Sequence, residues 1–416
     1  MKKLLLIIAI ICSSLTSSFA SHLMGGEITY TYVPGSLNDY EVTLVIYRDC
    51  FGIAVSTNQT VTFESASCGQ NFDFLIPFLQ TDDISQVCVG QTTTCNGGTV
   101  PGTEQYIFRG IVTLPPCADW IMHWNQGTRN AAIQNLVNPN LENIYIQNTL
   151  NNIIGVNNSS PQFFNSPTPY LCANNLAIYS HAASDPDGDS LYYSFNQPLG
   201  TPGPPGTPIA FSAGYSLLQP MTTVAGMNFD QTTGEMCFTP DVGQIVVISV
   251  LVEEFRNGSL IGTQIREMQV VVDPGCTNSN PTTGVAATCG GAATLVLTVA
   301  GPSVTQIDPN SVIMCPNDNV CFEVNFSDPD GDNITLNTNI SAAIPTATFN
   351  VVGNNTPNPI GTFCWTPTPL DSGLNVFAII ATDDACPIIG TQSFVFDVTV
   401  FDEPYAGLDD TICGAQ

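Results

Sequence analysis

The sequence predicts an all-β protein, with tandem β-sandwich domains behind a β-rich N-terminal domain. Runs rich in Val, Ile, Thr, Phe and Tyr recur along the chain, for example at residues 40–48, 244–252 and 393–401, and such runs are typical of strands. Turn residues separate them, since the 416 residues include 34 Gly and 30 Pro. After residue 20, no stretch keeps helical apolar periodicity for more than about two turns. These three observations favour sandwiches over helical folds.

The charge balance is strongly acidic. Asp and Glu number 35 against 7 Lys and Arg, which gives a formal net charge of −28. Without a basic patch, nucleic-acid binding is excluded and an anionic membrane surface is disfavoured. Only 10% of residues are charged and 44% are hydrophobic, so the chain can bury cores. Its length suits about two to four domains.

Residues 1–20 predict a signal peptide. Lys2 and Lys3 precede an apolar run at residues 4–11, and small residues lead to Ala20. A basic start, a short apolar centre and a small-x-small exit are typical of a cleaved leader. No later stretch reaches ~18 apolar residues. We therefore expect export through the Sec pathway, no transmembrane segment after cleavage, and a secreted or cell-surface location.

Residues 21–165 are predicted to form the β-rich N-terminal domain. It holds five cysteines whose partners the sequence leaves open. They are Cys50, Cys68, Cys88, Cys95 and Cys117. Because five is odd, at least one stays free or pairs outside this unit. Across the mature chain, wide spacing without C-x2-C pairs disfavours zinc, and an exported chain favours disulfides.

The Trp120-Ile-Met-His-Trp124 segment places Trp120, Met122 and Trp124 on one face of a strand. Core packing is the simpler interpretation. The alternative is a platform for a sugar ring, which would make the N-terminal unit a carbohydrate-binding module. Trp365, beside Cys364, is expected in a core.

An internal repeat divides the following chain into two homologous β-sandwich domains, residues 166–274 and 275–403. Four blocks recur in the same order: a cysteine block, a Ser-Asp-Pro-Asp-Gly-Asp loop, a Cys-x-Thr-Pro block and Ile-Gly-Thr-Gln. They begin at Cys172, Ser184, Gly234 and Ile261 in the first copy, and at Cys315, Ser327, Gly361 and Ile389 in the second. The first copy has an insertion, which the proline-rich residues 198–208 would accommodate as a surface loop.

The repeat also predicts disulfides, because each copy carries a cysteine in its first and third blocks. The predicted pairs are Cys172–Cys237 and Cys315–Cys364, with Cys321–Cys386 as an extra bridge of the second copy and Cys276–Cys289 as a possible short loop.

The two acidic loops are the best candidate site. Each has three aspartates at alternate positions. An acidic pair follows further along each copy, and the pairs of the two copies align with each other. The candidate ligands are Asp185, Asp187, Asp189, Glu253 and Glu254 in the first copy, and Asp328, Asp330, Asp332, Asp383 and Asp384 in the second. Calcium prefers six to eight oxygen ligands, and the Pro and Gly of the loop allow it to wrap an ion. The spacing is not that of an EF-hand.

The alternative for these loops is an ordinary turn, since Asp-Pro-Asp-Gly is favoured turn chemistry. Three clustered carboxylates repel each other without a cation, however, and both copies keep all three. The sequence therefore predicts calcium.

Catalysis has little support. The sequence contains neither G-x-S-x-G nor H-E-x-x-H, and we expect His22, His123 and His181 to be structural. Paired carboxylates could serve a glycosidase, but such pairs arise readily among 35 acids. A secreted hydrolase is the less favoured alternative to a non-enzymatic protein.

Six motifs of the N-terminal unit carry a family resemblance. They are Ser21-His-Leu-Met-Gly-Gly-Glu-Ile-Thr-Tyr30, Val42-Thr-Leu-Val-Ile-Tyr-Arg-Asp-Cys50, Cys95-Asn-Gly-Gly-Thr99, Thr113-Leu-Pro-Pro-Cys117, Arg129-Asn-Ala-Ala132 and Asn143-Ile-Tyr-Ile146. The unit resembles the start of large secreted Bacteroidota proteins labelled gliding-motility-associated or polycystic-kidney-disease-domain (PKD) proteins. Family members tend to carry a Cys-Cys pair where Gly127-Thr128 stand here, which leaves the partner of Cys117 open.

The resemblance implies a multi-domain surface protein exported by the type IX system and associated with the outer membrane, with adhesion as its inferred role. The acidic repeats resemble cadherin-like repeats, in which calcium stiffens the joint between domains. Residues 405–414 resemble the opening strand of a further Ig-like domain, so we expect residues 404–416 to begin a truncated domain. The predicted function is a non-enzymatic adhesion or structural module with calcium-stiffened Ig-like or cadherin-like repeats. Its glycan or protein ligand is not identified by the sequence.

Overall fold

The computed structural model describes residues 23–167, 169–201, 203–283, 289 and 295–401. The predicted signal peptide and the predicted start of a further domain lie outside the described residues. Within the described part, strands dominate and the one α-helix has four residues, which confirms the all-β class. No described helix has the length and apolar character needed to cross a membrane.

The N-terminal unit contains eight strands of one large sheet, in which a strand of the first repeat, Ser259–Asp273, lies between the last and the first strand of the unit. The eight strands are β1 (Leu23–Tyr32), β2 (Asp39–Asp49), β3 (Gln59–Ser65), β4 (Gln70–Ile76), β5 (Phe78–Asp83), β6 (Thr103–Thr113), β7 (Trp120–Thr128) and β8 (Asn143–Leu150). The layer β4-β3-β7-β8 faces the layer β1-β2-β6-β5 across a shared core. Alternating side chains of strands such as β3, which has the burial pattern of one buried residue in every two, enter this core.

Trp120, Met122 and Trp124 lie inside this core, at 2% exposure or less. The core interpretation is therefore confirmed, and the sugar platform is wrong, because neighbouring strands cover the aromatic faces. Trp365 is likewise buried in the core of the second repeat.

The first repeat is a sandwich of two sheets. Its strands are β9 (Gln162–Phe163), β10 (Tyr170–Cys172), β11 (Ala177–Ser180), β12 (Ala183–Ser184), β13 (Ser190–Phe195), β14 (Leu199–Gly200), β15 (Thr207–Pro208), β16 (Thr223–Phe229), β17 (Glu235–Pro240), β18 (Gln244–Arg256) and β19 (Ser259–Asp273). The sheet β11-β17-β16 packs on β10-β19-β18-β13, with an apolar core between them.

The second repeat has the same strand order. Its elements are β20 (Thr282–Thr283), β21 (Leu295–Ala300), β22 (Thr305–Asp308), β23 (Ser311–Met314), β24 (Val320–Ser327), β25 (Thr335–Thr338), α1 (Ile340–Ala343), β26 (Thr348–Val352), β27 (Ile360–Trp365), β28 (Gly373–Thr382) and β29 (Thr391–Val400). The sheet β24-β27-β26 corresponds to β11-β17-β16, and β23-β29-β28-β25 corresponds to β10-β19-β18-β13. Even the parallel pair is shared, since β10 runs parallel to β19 and β23 to β29. The internal sequence repeat thus corresponds to a repeated topology.

The long strand β19 joins the N-terminal unit to the first repeat. One of its edges pairs with β18, and the other pairs in turn with β8, β1 and β10. Gly25 lies where β1 enters between β2 and β19, at φ +140°, and a Cβ there would collide with the carbonyl of Glu267. The Met-Gly-Gly-Glu motif therefore has a structural reason, since only glycine fits this close backbone approach.

Six disulfides join cysteines that both lie among the described residues. They are Cys50–Cys95, Cys68–Cys117, Cys88–Cys386, Cys172–Cys276, Cys237–Cys289 and Cys321–Cys364. The four predicted pairs, Cys172–Cys237, Cys315–Cys364, Cys321–Cys386 and Cys276–Cys289, are wrong. The first and third blocks lie in opposite sheets, so Cys172 reaches Cys276 beyond the end of β19 instead.

In the second repeat, Cys321 and Cys364 lie directly opposite each other on β24 and β27. Cys315 is disulfide-bonded as well. Cys386 reaches Cys88 of the N-terminal unit, so the odd cysteine of that unit pairs outside it, which was one of the open alternatives.

Candidate functional site

Each acidic loop lies where a repeat meets the segment that precedes it. Asp187 in the first loop accepts the Ser159 backbone N–H at 2.6 Å, and Asp330 in the second accepts the Ser279 N–H at 2.7 Å. We call residues 157–160, 185–189 and 254–256 the first joint. The second joint comprises residues 278–280, 328–332 and 383–390.

The two loops have the same internal structure. Asp185 or Asp328, the first carboxylate, accepts the backbone N–H groups of the two following aspartates at 2.8–3.1 Å. Gly188 and Gly331 have φ of +80° and +86°, the left-handed bend that lets the chain wrap. One carboxylate oxygen from each aspartate lies within 4.8 Å of the others in both loops. The predicted convergence of three carboxylates is therefore present.

The first joint contains its own cation. The Arg256 guanidinium donates to both oxygens of Asp189, at 2.9 and 2.5 Å, and to Asn158 Oδ1 at 2.6 Å. It lies 3.6 Å from Asp187. A planar guanidinium satisfies a carboxylate with two parallel bonds, so the protein itself offsets part of the negative charge of this loop.

Glu254 completes the first joint. It is 1% exposed, and burial together with the Asp185 charge raises its pKa to about 9. The pKa of Asp185 is raised to about 6, chiefly by burial. Glu254 is thus protonated at neutral pH and can share a proton with Asp185. Glu253 lies on the opposite face of β18, because strand neighbours alternate, and it does not join this cluster.

In the second joint the corresponding buried acid is Asp383, at 4% exposure. Its carboxylate accepts the N–H groups of Ala385 and Gly390 and the amide of Asn278. Burial raises its pKa to about 6. A Cβ on Gly390 would collide with this carboxylate and with the amides of Asn278 and Asn280. These polar groups therefore converge on one small space.

Asp384 lies at the rim of the second joint. It accepts the backbone and side-chain N–H groups of Asn333 at 2.8 and 2.9 Å, which lower its pKa. Burial raises the pKa of Asp332, and the charge of Asp384 raises it further. Asp384 thus adds negative charge near the loop while its own oxygens are already hydrogen-bonded.

The second joint has oxygens without partners. Asp328 is 9% exposed, and its Oδ2 has no hydrogen-bond partner among the described residues; the same holds for Asn278 Oδ1. No Lys, Arg or His occurs in the sequence after Arg266. A buried carboxylate oxygen without a hydrogen-bond partner is costly. Carboxylate and amide oxygens are the donors that calcium prefers, so the residues present fit that ion.

Sequence reasoning did not identify Arg256 or the two linker asparagines. A signal for the linkers exists, since Asn158-Ser-Ser-Pro161 and Asn278-Ser-Asn-Pro281 share the pattern Asn-Ser-x-Pro. Nothing local marks Arg256, because its role depends on the hairpin that brings it to the loop.

Buried ion pairs connect the N-terminal unit to the first repeat. Arg129 pairs with Glu267, both 1% exposed, and Arg266 pairs with Glu27 at 2.5 Å. Tyr47 donates to Glu27 and accepts from Arg266, both at 2.9 Å. These residues include parts of the N-terminal motifs, which therefore build an interface between units.

No family model and no curated protein matches this chain. Solved structures overlap it only loosely. They include Dpr2 Ig1-Ig2 in complex with DIP-Theta Ig1-Ig3 (7% identity, 91% of this chain, 100% of that chain, TM-score 0.19), the N-terminal four Ig domains of Dscam1 isoform 6.44 (8%, 91%, 100%, 0.20) and protocadherin gamma B7 extracellular cadherin domains 1–4 (12%, 83%, 72%, 0.16). Overlaps at these TM-scores carry no argument, and the fold class rests on the strand topology itself.

Proposed function

We propose that this chain is a non-enzymatic, exported surface module with an adhesive or structural role, and that calcium holds its second joint. The observation that carries the proposal is the set of unpartnered, buried oxygens at that joint, Asp328 Oδ2 and Asn278 Oδ1, in a part of the sequence without any cationic side chain. A hard divalent ion would satisfy these oxygens and offset the repulsion among the loop carboxylates.

The location of the joint suggests what the ion would do. Ser279 in the linker, residues 328–332 in the loop and Asp383 beyond β28 belong to three separate segments. An ion bound by groups from these segments would link them and restrict movement between the repeats. Six disulfides fit an oxidising, extracellular location.

Calcium titration of the full chain, by calorimetry and by thermal melting, tests this proposal. We expect a binding heat and a rise in Tm at millimolar calcium, both abolished by Asp330→Asn. Asp308→Asn, an exposed aspartate on β22, is the matched control and should bind like the parent. No heat and no Tm shift in the parent chain would overturn the calcium part of the proposal.

A further inference from the structure

We infer that Arg256 is the permanent counter-cation of the first joint, so that the chain binds one calcium, at the second joint only. This inference rests on the proposed function and goes beyond the sequence pattern, which treats the two loops as equivalent.

Arg256 and the linker already use most of the oxygens that an ion would need in the first joint, although the buried Asp185 Oδ2 and Glu254 Oε1 have no hydrogen-bond partner among the described residues. Both oxygens of Asp189 and the Oδ1 of Asn158 accept hydrogen bonds from Arg256. Asp187 Oδ2 accepts the Ser159 N–H. A second cation beside the guanidinium would meet a fixed like charge at close range, which opposes its binding.

The second joint repeats these acceptors without the arginine. Asp332 occupies the loop position of Asp189, and Asn278 occupies the linker position of Asn158. Asn278 Oδ1 lacks a partner among the described residues, whereas Asn158 Oδ1 binds Arg256 at 2.6 Å. The same acceptor is therefore filled by a side chain in one joint and left for a ligand in the other.

The backbone explains why only one joint has the arginine. In the first repeat, β18 and β19 are connected by a tight hairpin at Asn257-Gly258, with φ of +52° and +75°, as a two-residue turn requires. This hairpin carries Arg256 as far as the loop. In the second repeat, β28 ends at Thr382 and the longer segment 383–390 follows. That segment brings Asp383 to the joint instead of a cation.

The two joints are therefore expected to respond differently to calcium. The joint between the N-terminal unit and the first repeat is closed by the protein at any calcium concentration. The joint between the repeats responds to calcium.

The test is the stoichiometry of calcium binding to the full chain, with two equivalent variants. We expect one calcium per chain in the parent. Asp330→Asn should weaken this binding at least tenfold, whereas Asp187→Asn, the same change at the same loop position of the first joint, should leave one site of unchanged affinity. Arg256→Gln should raise the stoichiometry to two.

The outcomes separate the two proposals. No binding by the parent overturns the calcium part of the proposed function together with this inference. Two calcium ions in the parent, or loss of one through Asp187→Asn, overturns the inference and leaves the proposed function standing. A folded Arg256→Gln chain that still binds one ion shows that Arg256 is not what excludes calcium. If that variant does not fold, the Asp187 and Asp330 variants decide the question.

Discussion

The two joints connect neighbouring units of the chain through different kinds of contact. In each, the preceding unit docks on the free edge of the last long strand of a repeat. At the first joint this edge of β19 pairs its backbone with β1 and β8. At the second, β11 approaches β29 through side chains, with Gln392 bonded to the backbone of Leu176 and Ile178. The contact beside the first joint is thus continuous with a sheet, and the contact beside the second joint is one between sandwiches.

The same Ile-Gly-Thr-Gln block serves both contacts. Gln264 donates to the Ile28 carbonyl of the N-terminal unit at 3.1 Å, as Gln392 does to the Leu176 carbonyl of the first repeat at 2.9 Å. Both glutamines are 1% exposed. One repeated glutamine therefore marks the docking position, while the surrounding charges decide whether the joint contains a protein cation or depends on an ion.

The largest expected effect concerns Arg129 and Glu267, one of the two buried ion pairs that connect the N-terminal unit to the first repeat among the described residues. Arg129→Met leaves Glu267 charged and unpaired in a buried position, so we expect a loss of about 3–5 kcal/mol in the free energy of unfolding. Chemical denaturation measures it. The double variant Arg129→Met/Glu267→Met is the control and should recover most of the loss. A single variant as stable as the parent would mean that this pair does not hold the contact.

The second prediction concerns the Cys88–Cys386 disulfide, which is attached to a segment of the second joint. It ties the N-terminal unit to residues 383–390, where Val87 and Ile388 also form a β-bridge. We expect Cys88→Ser/Cys386→Ser to lower stability by roughly 2–4 kcal/mol and to weaken calcium binding, because the segment that carries Asp383 is released. Thermal melting with and without calcium measures both.

The matched control is Cys68→Ser/Cys117→Ser, which removes a bridge inside the N-terminal unit. It should lower stability without changing calcium affinity. Equal loss of calcium affinity in both pairs would argue against a specific link between the bridge and the second joint.

Glu235 makes the contact between repeats sensitive to pH. It accepts the Val395 N–H at 3.1 Å, and burial raises its pKa to about 7. Because the folded state holds this proton more tightly than the unfolded state, the stabilisation is present below about pH 4.5 and is lost as pH rises to about 7. The loss is on the order of 3 kcal/mol.

Glu235→Gln keeps an acceptor for Val395 and removes the titration. The unfolding free energy of parent and variant is measured from pH 4.5 to 8. Over this range the parent should lose stability relative to the variant by the amount given above for Glu235. A difference that does not vary with pH would show that Glu235 titrates normally.

The smallest effect concerns the repeated glutamine. Gln392→Leu leaves the Leu176 carbonyl and the Ile178 N–H unpaired, which costs about 1–3 kcal/mol. Gln264→Leu, the equivalent change at the first joint, should cost less, because backbone pairing with β1 and β8 still holds that edge. Denaturation of the two variants side by side measures the difference. A larger loss of unfolding free energy for Gln264→Leu than for Gln392→Leu would contradict this expectation.

The candidate site was predictable in part. The three aspartates of each loop and the repeat that carries them are local patterns, and the structure brings each set together. Glu254 and Asp383 were found by alignment, but the structure makes Glu254 rather than Glu253 the counterpart of Asp383, since only one face of β18 meets the loop. Arg256 could not be found, because its contact with Asp189 joins residues 67 positions apart.

The sequence by itself determined the all-β class, the repeat and the acidic loops. These follow from strand periodicity and turn chemistry, which act between near neighbours in the chain. Only the tertiary structure decided the disulfide pairs, the sharing of β19 between two units and the unequal charge of the two joints. Each depends on which strand edges meet, and that choice is made by packing between residues far apart in sequence, as when Cys88 meets Cys386 across 298 positions.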